Sequence, residues 1–127
     1  MKKTVVITGG IGFLGKAFAK ALAEVNNTVI VTDIFETNDE KVKNILDSDM
    51  FHENIHYKKL DVTKEESVVD LIKKVHSQYG TIDTWVNNAF PRISKVSNDL
   101  KREYSNSFFE FSYDDLSESV AINLGSI

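Results

Sequence analysis

The sequence predicts an α/β protein in which a parallel sheet carries helices on both faces. Three observations lead there. Short β-branched runs alternate with helix-patterned stretches, a glycine-rich turn joins the first run to the first stretch, and an aspartate closes the second run. At 127 residues the chain has the size of one ordinary domain, and at 42% hydrophobic it is too apolar for disorder.

Thr4-Val5-Val6-Ile7 is a β-branched run that ends at Thr8-Gly9-Gly10 and reads as a buried strand. From about Phe13 to Val25, the residues Phe13, Leu14, Ala17, Phe18, Ala21, Leu22 and Val25 fall at helical spacing, and Asn26-Asn27 breaks the helix. Thr28 to Thr32 is a second buried strand, closing on Asp33. A polar helix runs from about Asn38 to Leu46. Ile55, Tyr57 and Leu60 alternate with His56, Lys58 and Lys59, a half-polar pattern suited to an edge strand. Thr63 is expected to cap the next helix, with Glu66 completing a capping box. That helix carries Val68, Val69, Leu71, Ile72 and Val75 and stops at Gly80. Ile82 to Val86 is the fourth strand, running into Asn87-Asn88-Ala89. No pattern is legible from Pro91 to about Ser112. At Tyr113-Asp114-Asp115 a helix restarts, with Leu116, Val120, Leu124 and Ile127 on one stripe.

Composition narrows the function classes. Fifteen Lys+Arg against nineteen Asp+Glu give a net charge of −4 with no basic block, which argues against nucleic acid or an anionic membrane as partner. With no cysteine there is no disulfide framework, thiolate zinc site or cysteine nucleophile. The three histidines, His52, His56 and His76, lack metal-site spacing, so no metal is expected. Lys2-Lys3 before an apolar run, with Ala21-Leu22-Ala23 beyond it, imitates a signal peptide. Four glycines together with Lys16 and Lys20 interrupt that run, and no other stretch is long enough to span a membrane. The expectation is a soluble, cytoplasmic protein.

Two features carry chemistry. Gly9-x-x-Gly12-x-x-Gly15 lies between the first strand and the first helix. Glycines there either mark a plain turn or let backbone approach a pyrophosphate at a helix N-terminus, and the position favours the second. Asp33 stands 33 − 15 = 18 residues beyond the last glycine, near the spacing of about 20 at which a carboxylate meets ribose hydroxyls. A turn or cap aspartate is the plainer alternative. Because no arginine stands beside Asp33, NAD is favoured over NADP.

At this point the chain resembles the short-chain dehydrogenase/reductase family over essentially its whole length. The resemblance rests on the glycine motif, Asp33, Asp61-Val62-Thr63, and Gly80-x-Ile82-Asp83-x-x-Val86-Asn87-Asn88-Ala89. It implies the first half of a Rossmann-type fold, about four strands with flanking helices. It also implies cofactor contacts at Gly9, Gly12, Phe13, Leu14, Asp33, Asp61, Val62, Asn88 and Ala89, with Asp61-Val62 bordering the adenine. Asn123, in Ala121-Ile122-Asn123-Leu124, matches the family's catalytic asparagine, whose backbone helps hold a proton-relay water.

The match departs from the family in two places. The glycine spacing belongs to the extended, nucleotide-sugar-modifying branch, whereas Asn-Asn-Ala belongs to the classical one. Phe90 stands where classical members have glycine. Phe90-Pro91-Arg92 and the aromatic stretch before Tyr113 are similar to bacterial oxidoreductases of flagellin or nonulosonic-sugar modification.

The resemblance implies hydride transfer between nicotinamide and an alcohol or carbonyl carbon of a small molecule, such as a sugar or nucleotide sugar. It also implies a homo-oligomer at full length. Family chemistry uses Tyr-x-x-x-Lys, yet Tyr57, Tyr79, Tyr104 and Tyr113 are followed four residues on by Asp61, Asp83, Phe108 and Ser117. A dinucleotide fold needs two mononucleotide halves and only the first is legible, so the fourth strand would be an exposed edge. The expectation is therefore a truncated chain, the cofactor-binding half of an enzyme about twice as long and inactive alone. The alternative is a naturally short, non-catalytic dinucleotide-binding or regulatory module. Residues 90–113 are expected to form a substrate-side loop. There Arg92, Lys95, Lys101 and Arg102 either meet an anionic substrate or are simply solvated, and Phe108, Phe109 and Phe111 either pack the loop or line a pocket.

Overall fold

A computed structural model describes residues 1–48 and 52–90, together with Ser117 and Ala121. Its elements are β1 (Thr4–Thr8), α1 (Phe13–Glu24), β2 (Thr28–Asp33), α2 (Glu40–Leu46), β3 (Ile55–Lys59), α3 (Glu65–Tyr79) and β4 (Thr84–Val86). Ser117 and Ala121, within the helix expected beyond Tyr113, are helical.

The four strands form one parallel sheet in the order β3-β2-β1-β4. Every crossover between parallel strands needs a connection over the sheet, which is the work of the three helices. Pairing is in register from Thr4 against Thr28 to Thr8 against Thr32, and Val6 also pairs with Trp85.

Strand alternation sorts the core into two layers. Val5, Ile7, Val29, Val31 and Ile55 face α1, where Ala19 and Ala23 meet them. Val6 and Ile30 face the opposite side, where Leu60, Leu71 and Val75 cover them. Burying each of these branched side chains stabilises the fold by roughly 1.5–3 kcal/mol. The half-polar run Ile55–Lys59 is indeed an edge strand, with Lys59 exposed and ion-paired to Glu36.

Three local expectations are corrected. The face that α1 buries is its small one, Gly15, Ala19 and Ala23, whereas Phe13, Leu14, Phe18 and Val25 are exposed. Small side chains four residues apart let the helix backbone lie close on the sheet, which the larger residues would prevent. Thr63 does not cap α3. Its hydroxyl donates to Asp61 Oδ1 at 2.6 Å, and the N-cap is Lys64, without a side-chain cap bond. The fourth strand begins at Thr84 rather than Ile82, because the Asp83 carboxylate accepts the Thr4 amide at 2.8 Å in place of a ladder carbonyl.

Candidate functional site

The segments that follow the four strands meet the start of α1 around an open cleft of about 1130 Å³. Ligands of open α/β sheets bind at this end of the strands. Gly9, Gly12, Phe13, Leu14, Asp33, Asp61, Val62, Asn88 and Ala89, singled out from the sequence, all line it. So does Phe90, which is 70% exposed. Asn123 and the rest of the expected 90–113 loop lie outside the described residues.

The glycines divide by what a side chain would meet. Gly9 has φ of +62°, a left-handed conformation, and a Cβ there would lie 2.8 Å from Ala89 Cα. A Cβ on Gly15 would overlap the Gly9 carbonyl oxygen and lie 2.7 Å from Gly10 Cα. Gly10, outside the spaced motif, is as tightly placed, since its Cβ would be 2.6 Å from Val31 Cβ. Gly12 differs. A Cβ there meets only the Gly9 carbonyl oxygen, at 3.3 Å, and its φ of −73° suits any residue. That contact is tight, but it is milder than those at Gly9, Gly10 and Gly15.

Thr8 joins the two ends of the site. Its buried hydroxyl donates to the Val86 carbonyl at 3.4 Å and accepts the amides of Asn88 and Ala89, each at 3.0 Å. The Asn88 side chain donates to the Gly9 carbonyl at 3.2 Å, so the end of β4 holds the glycine turn directly. Sequence reasoning missed Thr8 and Gly10. Only the threonine's place as the last residue of a buried strand could have pointed to it.

Asp33 ends β2 at the far side of the cleft, where its Oδ1 accepts the Ile34 amide at 2.9 Å. Tyr57 braces this turn from β3. Its hydroxyl shares one proton between the carbonyls of Phe35, at 2.6 Å, and Asp33, at 3.1 Å. Burial, followed by the charges of Asp33, Glu36 and Asp39, pushes the Tyr57 phenol well above its ordinary value. The shift is opposite to what an acid–base tyrosine needs.

At the next strand end, the Thr63 hydroxyl bonded to the Asp61 carboxylate is the main reason that carboxylate sits below its usual range. The Thr63 amide and Lys64 add to the effect against the cost of partial burial.

The sequence model of the short chain dehydrogenase family matches residues 3–127. The chain belongs to that family. A family relative from Campylobacter coli, Post-translational flagellin modification protein A, is 28% identical over 123 residues, 97% of this chain and 45% of the relative. Two solved structures from Brucella melitensis share the fold. A short-chain dehydrogenase/reductase of glucose/ribitol dehydrogenase type superposes with a TM-score of 0.72 at 23% identity, covering 99% of this chain and 49% of that one. A 3-ketoacyl-(acyl-carrier-protein) reductase complexed with NADH gives 0.68 at 19% identity, covering 98% and 45%. The chain thus spans less than half the length of these family members. Among the described residues, no helix is long and apolar enough to cross a membrane, and no group of three or more His, Cys, Asp or Glu could hold a metal.

Proposed function

We propose that this chain is the NAD-binding part of a short-chain dehydrogenase that moves hydride between nicotinamide and an alcohol or carbonyl carbon of a small molecule. Gly12 carries the reading. Of the four glycines in this turn it is the one whose added Cβ would be least crowded, and it forms the N-cap of a helix whose first turn holds no acidic residue. A close-approaching anion explains both facts, because the open amides and the positive end of the helix then face it.

Gly9, Phe13 and Leu14 flank the pyrophosphate so placed. Asp33 accepts hydrogen bonds from the adenosine ribose hydroxyls and repels a 2′-phosphate, which favours NAD over NADP. Asp61 and Val62 border the adenine, while Asn88 and Ala89 lie under the other half of the dinucleotide. The NADH-bound Brucella reductase supports a dinucleotide in this fold. When bound, the nicotinamide supplies the hydride acceptor or donor; the residues here hold and orient it.

We assign Asn123 the family's water-holding role and residues 90–113 to the substrate side. Tyr57 is committed to bracing a turn, and no tyrosine among these 127 residues is followed four positions on by lysine, so we assign the chain by itself cofactor binding without turnover. We place the substrate among sugars or nucleotide sugars, as the glycine spacing shared with the nucleotide-sugar-modifying branch implies.

Fluorescence titration with NADH and NADPH tests the reading. NADH is expected to bind more tightly, and Asp33→Ala to narrow the gap. Equal affinities in the unaltered protein would remove Asp33 from its assigned role.

A further inference from the structure

The cleft carries a cation that sequence reasoning passed over. Lys41 lies 41 − 33 = 8 residues beyond Asp33, on α2, and lines the same cleft as Asp33 and Phe35. Two anchors hold it. Its amide donates to Oδ1 of Asp39, the N-cap of α2, at 2.8 Å, and its Nζ lies over the Phe35 ring, 4.7 Å from the centroid.

Phe35 is itself fixed. The Tyr57 hydroxyl that bonds its carbonyl also bonds that of Asp33, so one phenol sets both the carboxylate-bearing residue and the ring beneath the ammonium. Of the acids between Asp33 and Lys41, Glu36 is ion-paired with Lys59 and Asp39 caps α2 by accepting the Lys41 amide, while Glu40 begins the helix. An ammonium resting on a ring face keeps donors for an anion on its other side. The end of β2 and the first turn of α2 therefore bring a carboxylate and an ammonium to the same cleft.

We infer that Lys41 is a second specificity residue of this cleft, opposite in sign to Asp33, which gives its adenosine end an affinity for a 2′-phosphate that Asp33 masks. The inference rests on the dinucleotide reading above, and it adds that replacing the Asp33 carboxylate uncovers a phosphate receptor already in place.

The test is calorimetric titration of the full chain with AMP and with adenosine 2′,5′-bisphosphate, and the quantity read is the ratio of the two affinities. Asp33→Ser is expected to shift that ratio toward the bisphosphate by roughly tenfold or more, and Asp33→Ser/Lys41→Met to lose most of the gain. Lys41→Met alone lowers the weak bisphosphate affinity of the unaltered protein relative to AMP, a measurement that stands even where Asp33→Ser folds poorly. Equal ratios in Asp33→Ser and the double variant, or an unmoved ratio in Lys41→Met, overturn the inference while leaving the dinucleotide site intact. Failure of the unaltered protein to bind AMP removes the dinucleotide reading and this inference with it.

Discussion

Alanine at Gly12 and at Gly15 should separate ligand binding from folding. At Gly15 the new Cβ would lie 2.7 Å from Gly10 Cα, so reaching an ordinary 3.4 Å contact needs a shift of 3.4 − 2.7 = 0.7 Å in backbone that has no rotamer to change. Overpacking of this kind costs about 1–3 kcal/mol, and the added overlap with the Gly9 carbonyl puts Gly15→Ala at the upper end. Better helix propensity returns about 1 kcal/mol, leaving a net loss of about 2 kcal/mol. In a domain of 127 residues, that lowers Tm by roughly 5–10 °C. At Gly12 the one close contact, 3.3 Å to the Gly9 carbonyl oxygen, needs a far smaller adjustment, so Gly12→Ala should cost about 1 kcal/mol, less than Gly15→Ala. NADH affinity should nevertheless fall at least tenfold, because the methyl group occupies the place of the approaching phosphate. Thermal melts by circular dichroism, run beside NADH titrations, read both quantities. A Gly12→Ala protein that binds NADH normally would refute the reasoning, as would a Gly15→Ala protein that melts with the unaltered one.

Other outcomes follow from hydrogen bonds and charges. Thr8→Val leaves the half-buried amides of Asn88 and Ala89 without their acceptor, so stability should drop by about 1–2 kcal/mol. Amide exchange at these two positions should accelerate by more than at the paired amides of β2, and uniform protection would count against a local clip. Stability should also fall on acidification. Partial burial, then Lys58 and Lys2, holds His56 below 6.5, so between its folded value and 6.5 the unfolded chain binds more protons and stability rises with pH. Asp61 is held below 3.8 chiefly by Thr63, so its contribution is present above 3.8 and lost as pH falls through the folded value. Urea midpoints measured across pH should decline below 6.5 and decline less in His56→Gln; identical slopes would exclude His56 as the source.

The sheet was legible because its central strands are buried on both faces and so read as continuous β-branched runs, Val5-Val6-Ile7 and Val29-Ile30-Val31. The inward face of α1 was not. Hydrophobic periodicity weights Phe13, Leu14 and Phe18 over Gly15, Ala19 and Ala23, yet close packing on the sheet selects the small residues. At the cleft, the residues on turns after strands were readable, because glycine and aspartate at strand ends stand out from the β-branched runs before them. Thr8 and Gly10 take their importance from atoms far away in sequence, Asn88 for one and Val31 for the other, and no local pattern encodes such meetings. Lys41 belongs with them. Its approach to the cleft depends on how α2 lies beside the Asp33–Phe35 turn.

The Thr8 hydroxyl spans 80 positions of the chain to reach Asn88 and 81 to reach Ala89. Closing so large a loop is entropically demanding, and such contacts form late compared with the neighbouring β1–β2 pairing. The floor of the cleft is therefore the part of this molecule that depends most on distant chain segments finding each other. A molecule seated there touches the start of the chain at Gly9 and Gly12 and its later part at Asn88 and Ala89. It acts as a removable staple across the fold, adding RT ln(1 + [L]/Kd) to stability. Occupancy of the proposed site and folding of this domain would therefore be linked equilibria, each favouring the other.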